Sequence, residues 1–174
     1  MAVNQSISSA SFTCMKNSGF STAFIRAYMP IADGMVDSNF VQNVYNALGL
    51  GTEVYAIPQA AGIKTAAQQF DEIYSCIKQS QIILHNIQVT SPIHWYWNVL
   101  GEGETGRTAA DFSDFRSFAA FINPIIKTYA RATRICGTSV DQIVYPQSYG
   151  LFSANSTDQN DKMIIVGSIQ IPYS

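Results

Sequence analysis

The sequence predicts an α/β fold built from parallel βα units, and three observations carry that expectation. Strand-like and helix-like segments alternate three times from the N-terminus, with short connections. That rhythm is characteristic of parallel strands joined by right-handed crossovers. Ile82, Ile83 and Leu84 then form an apolar run suited to a strand buried on both faces. The run ends in the polar residues His85, Asn86 and Gln88, at the carboxyl end where such folds place ligands and catalytic groups.

Each element has a local reason. Met1 to Val3 is a short first strand. Ser8 to Ser18 is a helix, capped by Ser8 or Ser9 and ended by Gly19. Ser21 to Tyr28 is a mostly apolar second strand, followed by a loop with Pro30 and Asp33-Gly34. Asp37 or Ser38 caps the next helix, where Phe40, Val41, Val44, Tyr45 and Leu48 recur at helical spacing. Glu53 to Pro58 is the third strand. Thr65 to Gln79 is the third helix, with Phe70, Ile73, Tyr74 and Ile77 on one face. Gln81 to Gln88 is the fourth strand.

After Gln88 the rhythm breaks. His94 to Leu100 has a strand pattern with no convincing helix before it, and Gly101 to Arg107 is a Gly-rich loop. Phe112 to Phe121 is aromatic-rich and either irregular or a short helix. Ile125 to Ala130, Val140 to Tyr145 and Met163 to Ile171 are further strands, the last after a polar loop from Ser153 to Lys162.

The chain has 174 residues, 47% hydrophobic and 13% charged, with a net charge of −2. One domain is expected, with enough chain to bury a sizeable core. The composition excludes a disordered chain and a basic nucleic-acid binder. No run is long and apolar enough to span a bilayer. The low charge favours self-association. No signal peptide is visible after Met1, so the chain is either intracellular or has lost a leader. Two sequons, at Asn4 and Asn155, permit glycosylation in a secretory compartment. Cys14, Cys76 and Cys136 have no metal-site spacing and read as buried thiols. No pattern implies a metal or cofactor.

Asn86 and Gln88 flank Ile87, so strand alternation sends both side chains the same way. That is the arrangement of a catalytic carboxylate pair, but both groups are amides, which neither titrate near neutral pH nor carry charge. Other candidates are weaker. His85 and His94 are an acid/base or metal pair, or ordinary structural histidines. Glu102 and Glu104 are solvated loop residues or replacement acids. Trp95, Tyr96 and Trp97 stack on sugars or pack the core, and alternation separates Tyr96 from the two tryptophans. Arg26, inside an apolar strand, needs a partner such as Asp141 or a backbone carbonyl.

Several segments resemble the lysozymes of glycoside hydrolase family 25, in the nematode and amoeba form. They are Val3–Ser8, Phe12–Phe20, Ala23–Tyr28, Val54–Pro58, Ala66–Gln69, Trp95-Tyr96, Phe112–Phe115, Ile126–Tyr129 and Cys136–Asp141, in collinear order. The resemblance implies a shortened TIM-like βα barrel over residues 1–146, its site at the strands' carboxyl ends. Residues 147–174 are an extension, a loop plus a strand packed on the same domain.

Carried over residue by residue, the family's first-strand aspartate falls on Ala2 and its fourth-strand Asp-x-Glu on Asn86-Ile87-Gln88. Asp141 is the one remnant, either a site residue or hydrogen-bonded structure. Glycoside hydrolysis normally needs an acid and a second carboxylate, so the expected protein has lost hydrolysis and is kept to bind glycan or protein, or to assemble with itself. The binding residues expected are Tyr28, Trp95, Tyr96 and Asp141, and the partners a peptidoglycan-like glycan or further copies of the chain. The alternative is an active muramidase with relocated acids, Asp141 with Glu102, Glu104 or Asp114. A family strand–helix–strand run is missing where Val89 to His94 now join the segments. The resemblance also implies a Cys14–Cys136 disulfide and, with it, a secreted or endomembrane location.

Overall fold

The computed structural model describes residues 2–3, 5–80, 82, 95–117, 122–145 and 164–166. His85, Asn86, Gln88, His94 and the polar loop 153–162 lie outside these residues. The described elements run β1 (Ala2–Val3), α1 (Ser9–Asn17), β2 (Phe20–Met29), β3 (Met35–Val36), α2 (Phe40–Asn46), β4 (Gly51–Ala56), α3 (Ala66–Gln79), β5 (Trp95–Trp97), β6 (Ile126–Ile135), β7 (Thr138–Val144) and β8 (Ile164–Val166).

Local chemistry sets the first helix as expected. Ser8 Oγ accepts the Ser11 amide at 3.2 Å, and Gly19 leaves the helix at φ 91°. Helix α3 starts at a capping box: Thr65 Oγ1 accepts the Gln68 amide, and Gln68 Oε1 accepts the Thr65 amide. Helix α2 differs from expectation. Its cap is Asn39, whose side chain makes no capping bond and donates to Asp37 Oδ1 at 3.3 Å instead. Asp37 Oδ2 pairs with Arg26 Nε at 2.8 Å, and its other oxygen accepts the Asn39 amide. The partner Arg26 requires is therefore Asp37.

The apolar face of α3 is only partly buried. Phe70 and Tyr74 stack on each other at 6.2 Å and stay about half exposed, while Gln69 and Ile77 are buried. Gln69 wins the inner position by bonding: it accepts the Gln59 amide at 2.8 Å and donates to the Gln59 and Lys64 carbonyls. A polar anchor rotates the helix away from the purely apolar stripe.

Strand β2 is the centre of the sheet. Parallel β4 lies along one side of it, and β1 and β8 follow each other along the other. β7 continues the sheet beyond β1 and β8, then β6, then β5. The odd residues Ala23, Ile25 and Ala27 pack under the helices with Phe12, Met15, Phe40 and Ile77. The opposite face carries a second cluster of Phe24, Ile126, Ile143 and Tyr145, flanked by Tyr55 and Trp95.

The expected shortened parallel barrel does not form. The strands fall into two small groups, parallel β1, β2 and β4 against mixed β5, β6 and β7, joined into one mixed sheet by the Ala2–Asp141 pair and by β8. β3 and β7 run antiparallel to their neighbours, and β4 and β5 do not meet among the described residues. The physical reason lies in the connections. A parallel barrel needs a crossover after each strand, whereas β6 turns straight back into β7 through Cys136 and Gly137, both at positive φ (51° and 76°). Two such residues suit a tight hairpin whose twist matches its strands.

Cys14 and Cys136 are bonded, with Cα atoms 5.9 Å apart across 122 residues of sequence. The bond ties α1 to the β6–β7 turn. Replacing both cysteines with serine is expected to lower unfolding free energy by about 2–4 kcal/mol, read as an earlier urea midpoint than the oxidised parent; an unchanged midpoint would show that the bond carries no stability.

Candidate functional site

The site builds from the ladder between β1 and β7. Ala2 pairs with Asp141, so the position where the resemblance places the first acid stands directly beside the remaining one. Asp141 is 9% exposed. Its Oδ1 accepts the Ala132 amide at 2.7 Å, and its Oδ2 lies 3.9 Å from Arg131 Nε. Burial pushes its carboxyl pKa up; the Ala132 hydrogen bond and the Arg131 charge pull it back, and the Glu102 charge adds to the rise.

The Ala132 contact explains a backbone irregularity. Ladder partners jump from Ala130–Gln142 to Thr133–Val140, so Arg131 and Ala132 together oppose Asp141. Ala132 takes φ 49°, uncommon for a residue with a Cβ. The Asp141 carboxylate pins this bulge, and bulges commonly re-aim a side chain beside a site. The Gly-rich loop is held there too. Gly103 N–H donates to the Arg131 carbonyl at 2.8 Å, and the backbone of Glu102 pairs in parallel with that of Arg131.

The other candidates have separate places. Trp95 faces the inner cluster, its ring 5.6 Å from Phe24 and its indole N–H on Thr128. Trp97 is 47% exposed and has the Arg131 guanidinium 5.9 Å over its ring. Tyr96 sits on the far side among Phe112 and Phe115, and its hydroxyl donates to Asp114. Tyr28 is fully buried, its hydroxyl donating to Glu72 Oε2 at 2.7 Å. Trp95 and Trp97 therefore approach a common face with Asp141, while Tyr28 and Tyr96 belong to structural networks.

The proposed replacement acids separate in the same way. Asp114 accepts from the fully buried Lys127 at 2.8 Å, and from Asn98 and Tyr96. Burial raises its pKa, but these three donors outweigh it and hold the carboxyl below its ordinary range. Such a group is a poor proton donor near neutral pH. Glu104 pairs with Arg107 in solvent. Only Glu102 lies close enough to Asp141 to affect it electrostatically. Among the described residues no group of three His, Cys, Asp or Glu side chains can hold a metal, and no helix is long and apolar enough to cross a membrane.

Sequence reasoning missed Glu53. It stands in register with Phe24 on the inner face, beside the aromatic cluster. Burial pushes its carboxyl up to about 7, with no charged partner among the described residues. Its signal was a lone carboxylate opening the apolar strand that runs to Pro58. Linkage gives the sign of its effect. The folded form holds a proton between pH 4.5 and about 7 that the unfolded chain has released, so stability falls as pH rises through that window. Glu53→Gln is expected to flatten that decline and to raise the melting temperature at pH 8; an unchanged pH profile in thermal denaturation would refute the assignment.

A family model described as Lysozyme-like protein 1 matches residues 1–95 and 90–129. Lysozyme-like protein 1 of Caenorhabditis elegans is 27% identical over 220 aligned positions, covering 90% of this chain and 74% of that protein. Lysozyme-like protein 7 of the same nematode is 30% identical over 188 positions, covering 76% and 66%. The Probable GH family 25 lysozyme 2 of Dictyostelium discoideum is 26% identical over 183 positions, covering 78% and 85%, a likeness to the broader lysozyme-like kind. No solved structure matches. With the family model spanning most of its length and the nematode relatives aligned along it, this chain belongs to the lysozyme-like protein family.

Proposed function

We propose that this protein is a shortened lysozyme-like protein that binds glycan without cleaving it. The observation that carries the reading is the pairing of Ala2 with Asp141. Where two acids would face each other across adjacent strands, one position is alanine. The surviving carboxylate is hydrogen-bonded to the Ala132 amide and faces Arg131. The sequence adds amides at Asn86 and Gln88. Loss of a positioned acid typically costs about 10²–10⁴-fold in rate, and loss of several together leaves little. Shortening is supported by the alignment to the nematode relative, whose 220 positions take in 90% of the 174 residues here, and by a family match in two pieces meeting at residues 90–95.

The same reading includes a secretory or vesicular location, supported by the Cys14–Cys136 bond, since disulfides persist in oxidising compartments. It also includes self-association through the edges of β4 and β5, which have no second partner strand among the described residues, since an open edge readily pairs with another chain.

A second reading, hydrolysis by relocated acids, is favoured by one observation: the charge on Glu102 raises the pKa of Asp141. One experiment separates the two. Purified protein added to a bacterial cell-wall suspension is expected to leave its turbidity unchanged while sedimenting with the walls. Clearing that disappears in Asp141→Asn would establish hydrolysis instead.

A further inference from the structure

Helix α3 turns an aromatic strip toward solvent. Its inner side is settled: Gln69 and Ile77 are buried, and Ile73 and Cys76 pack against the main core. The Tyr45 hydroxyl of α2 donates to the Ser80 carbonyl at its end. On the outer side Phe70 is 50% and Tyr74 43% exposed, with rings stacked 6.2 Å apart. Ala67, Asp71 and Lys78 are exposed as well. These residues recur three and four apart, so they line one strip about 16 Å long. In a βα succession the next helix would lie beside this one. Among the described residues no α-helix follows α3. Asp71 and Lys78 make no ion pair among the described residues.

We propose that this strip of α3 docks a second copy of the chain, packed antiparallel on the same strip. The proposal rests on the self-association reading and gives it a surface other than the strand edges. The pattern of charge is what selects a second copy. Asp71 and Lys78 are equally spaced about the midpoint between Tyr74 and Ser75. A two-fold axis at that midpoint brings Asp71 of each copy to Lys78 of the other and sets the two Tyr74 rings side by side. Lys78 Nζ already lies 5.4 Å from the centre of the Tyr74 ring, so the charge and the aromatic surface occupy one patch. A net charge of −2 leaves little repulsion between copies. The area sets the strength. A half-exposed aromatic offers about 100 Å², so the pair supplies about 200 Å² per copy, against about 800 Å² per partner in a standard interface. The dimer is therefore weak and reversible.

Sedimentation equilibrium on the full oxidised chain, from about 10 μM to about 1 mM, is expected to show a monomer–dimer equilibrium with a midpoint near 100 μM, to order of magnitude about that of a small interface. Tyr74→Glu sets like charges at the axis and is expected to abolish association. Asp71→Lys and Lys78→Asp are each expected to weaken it about tenfold, and the double exchange to restore it. Within one helix these two positions lie about two turns apart and do not touch, so restoration requires a second copy. Circular dichroism and an intact Cys14–Cys136 bond show that each variant is folded. A dimer that persists in Tyr74→Glu, or a double exchange as weak as the single variants, would overturn this inference and leave association through the strand edges standing. A parent chain monomeric to about 1 mM would overturn both.

Discussion

The turn at Cys136 and Gly137 governs what the rest of the molecule can do. Two successive residues at positive φ reverse the chain within a tight hairpin, so β7 runs back along β6. That reversal delivers Asp141 to the ladder beside Ala2. The disulfide from Cys136 to Cys14 holds the same turn against the first helix. A hairpin, a cross-strand pair and a covalent tie thus converge on one short stretch. Loosening the turn would release the bulge at 131–132, the loop that hydrogen-bonds to it, and the cation that the bulge presents.

Charge placement follows one rule. This chain has few charged groups, and the buried ones have partners, because an isolated buried charge is strongly disfavoured. Asp37 is 3% exposed and meets Arg26; Lys127 is fully buried and meets Asp114 and the Ala109 carbonyl. These pairs hold a loop to β2 and the Phe112–Phe115 segment to β6. The donors around Asp114 also remove it from acid chemistry. Glu53 is the contrast. Its neighbours are aromatic, and it keeps its proton to about pH 7. Asp141 lies between these cases, buried yet only loosely met by Arg131.

Helix α3 shows why patterning alone misplaces a face. Phe70 and Tyr74 stack with each other in solvent, and Lys78 lies over the Tyr74 ring. Their mutual contact offsets part of the exposure. Gln69 turns inward because three backbone groups of Gln59 and Lys64 await its amide. A hydrophobic count cannot register such a need, since the carbonyls and N–H that impose it belong to a loop whose path is set elsewhere.

The sequence by itself determined the helix boundaries that rest on caps, the first strand and helix pairs, and the lysozyme-like kind. These follow from local hydrogen bonding, from side-chain period, and from which atoms a residue possesses. It also separated Tyr96 from Trp95 and Trp97, because alternation is a property of a single strand. Tertiary structure alone decided that the sheet is open and mixed, that Arg26 pairs with Asp37, that Glu53 joins the inner face, and that Arg131 stands over Trp97. Each of these depends on the register between distant strands, a collective minimum of packing and pairing that no single segment encodes.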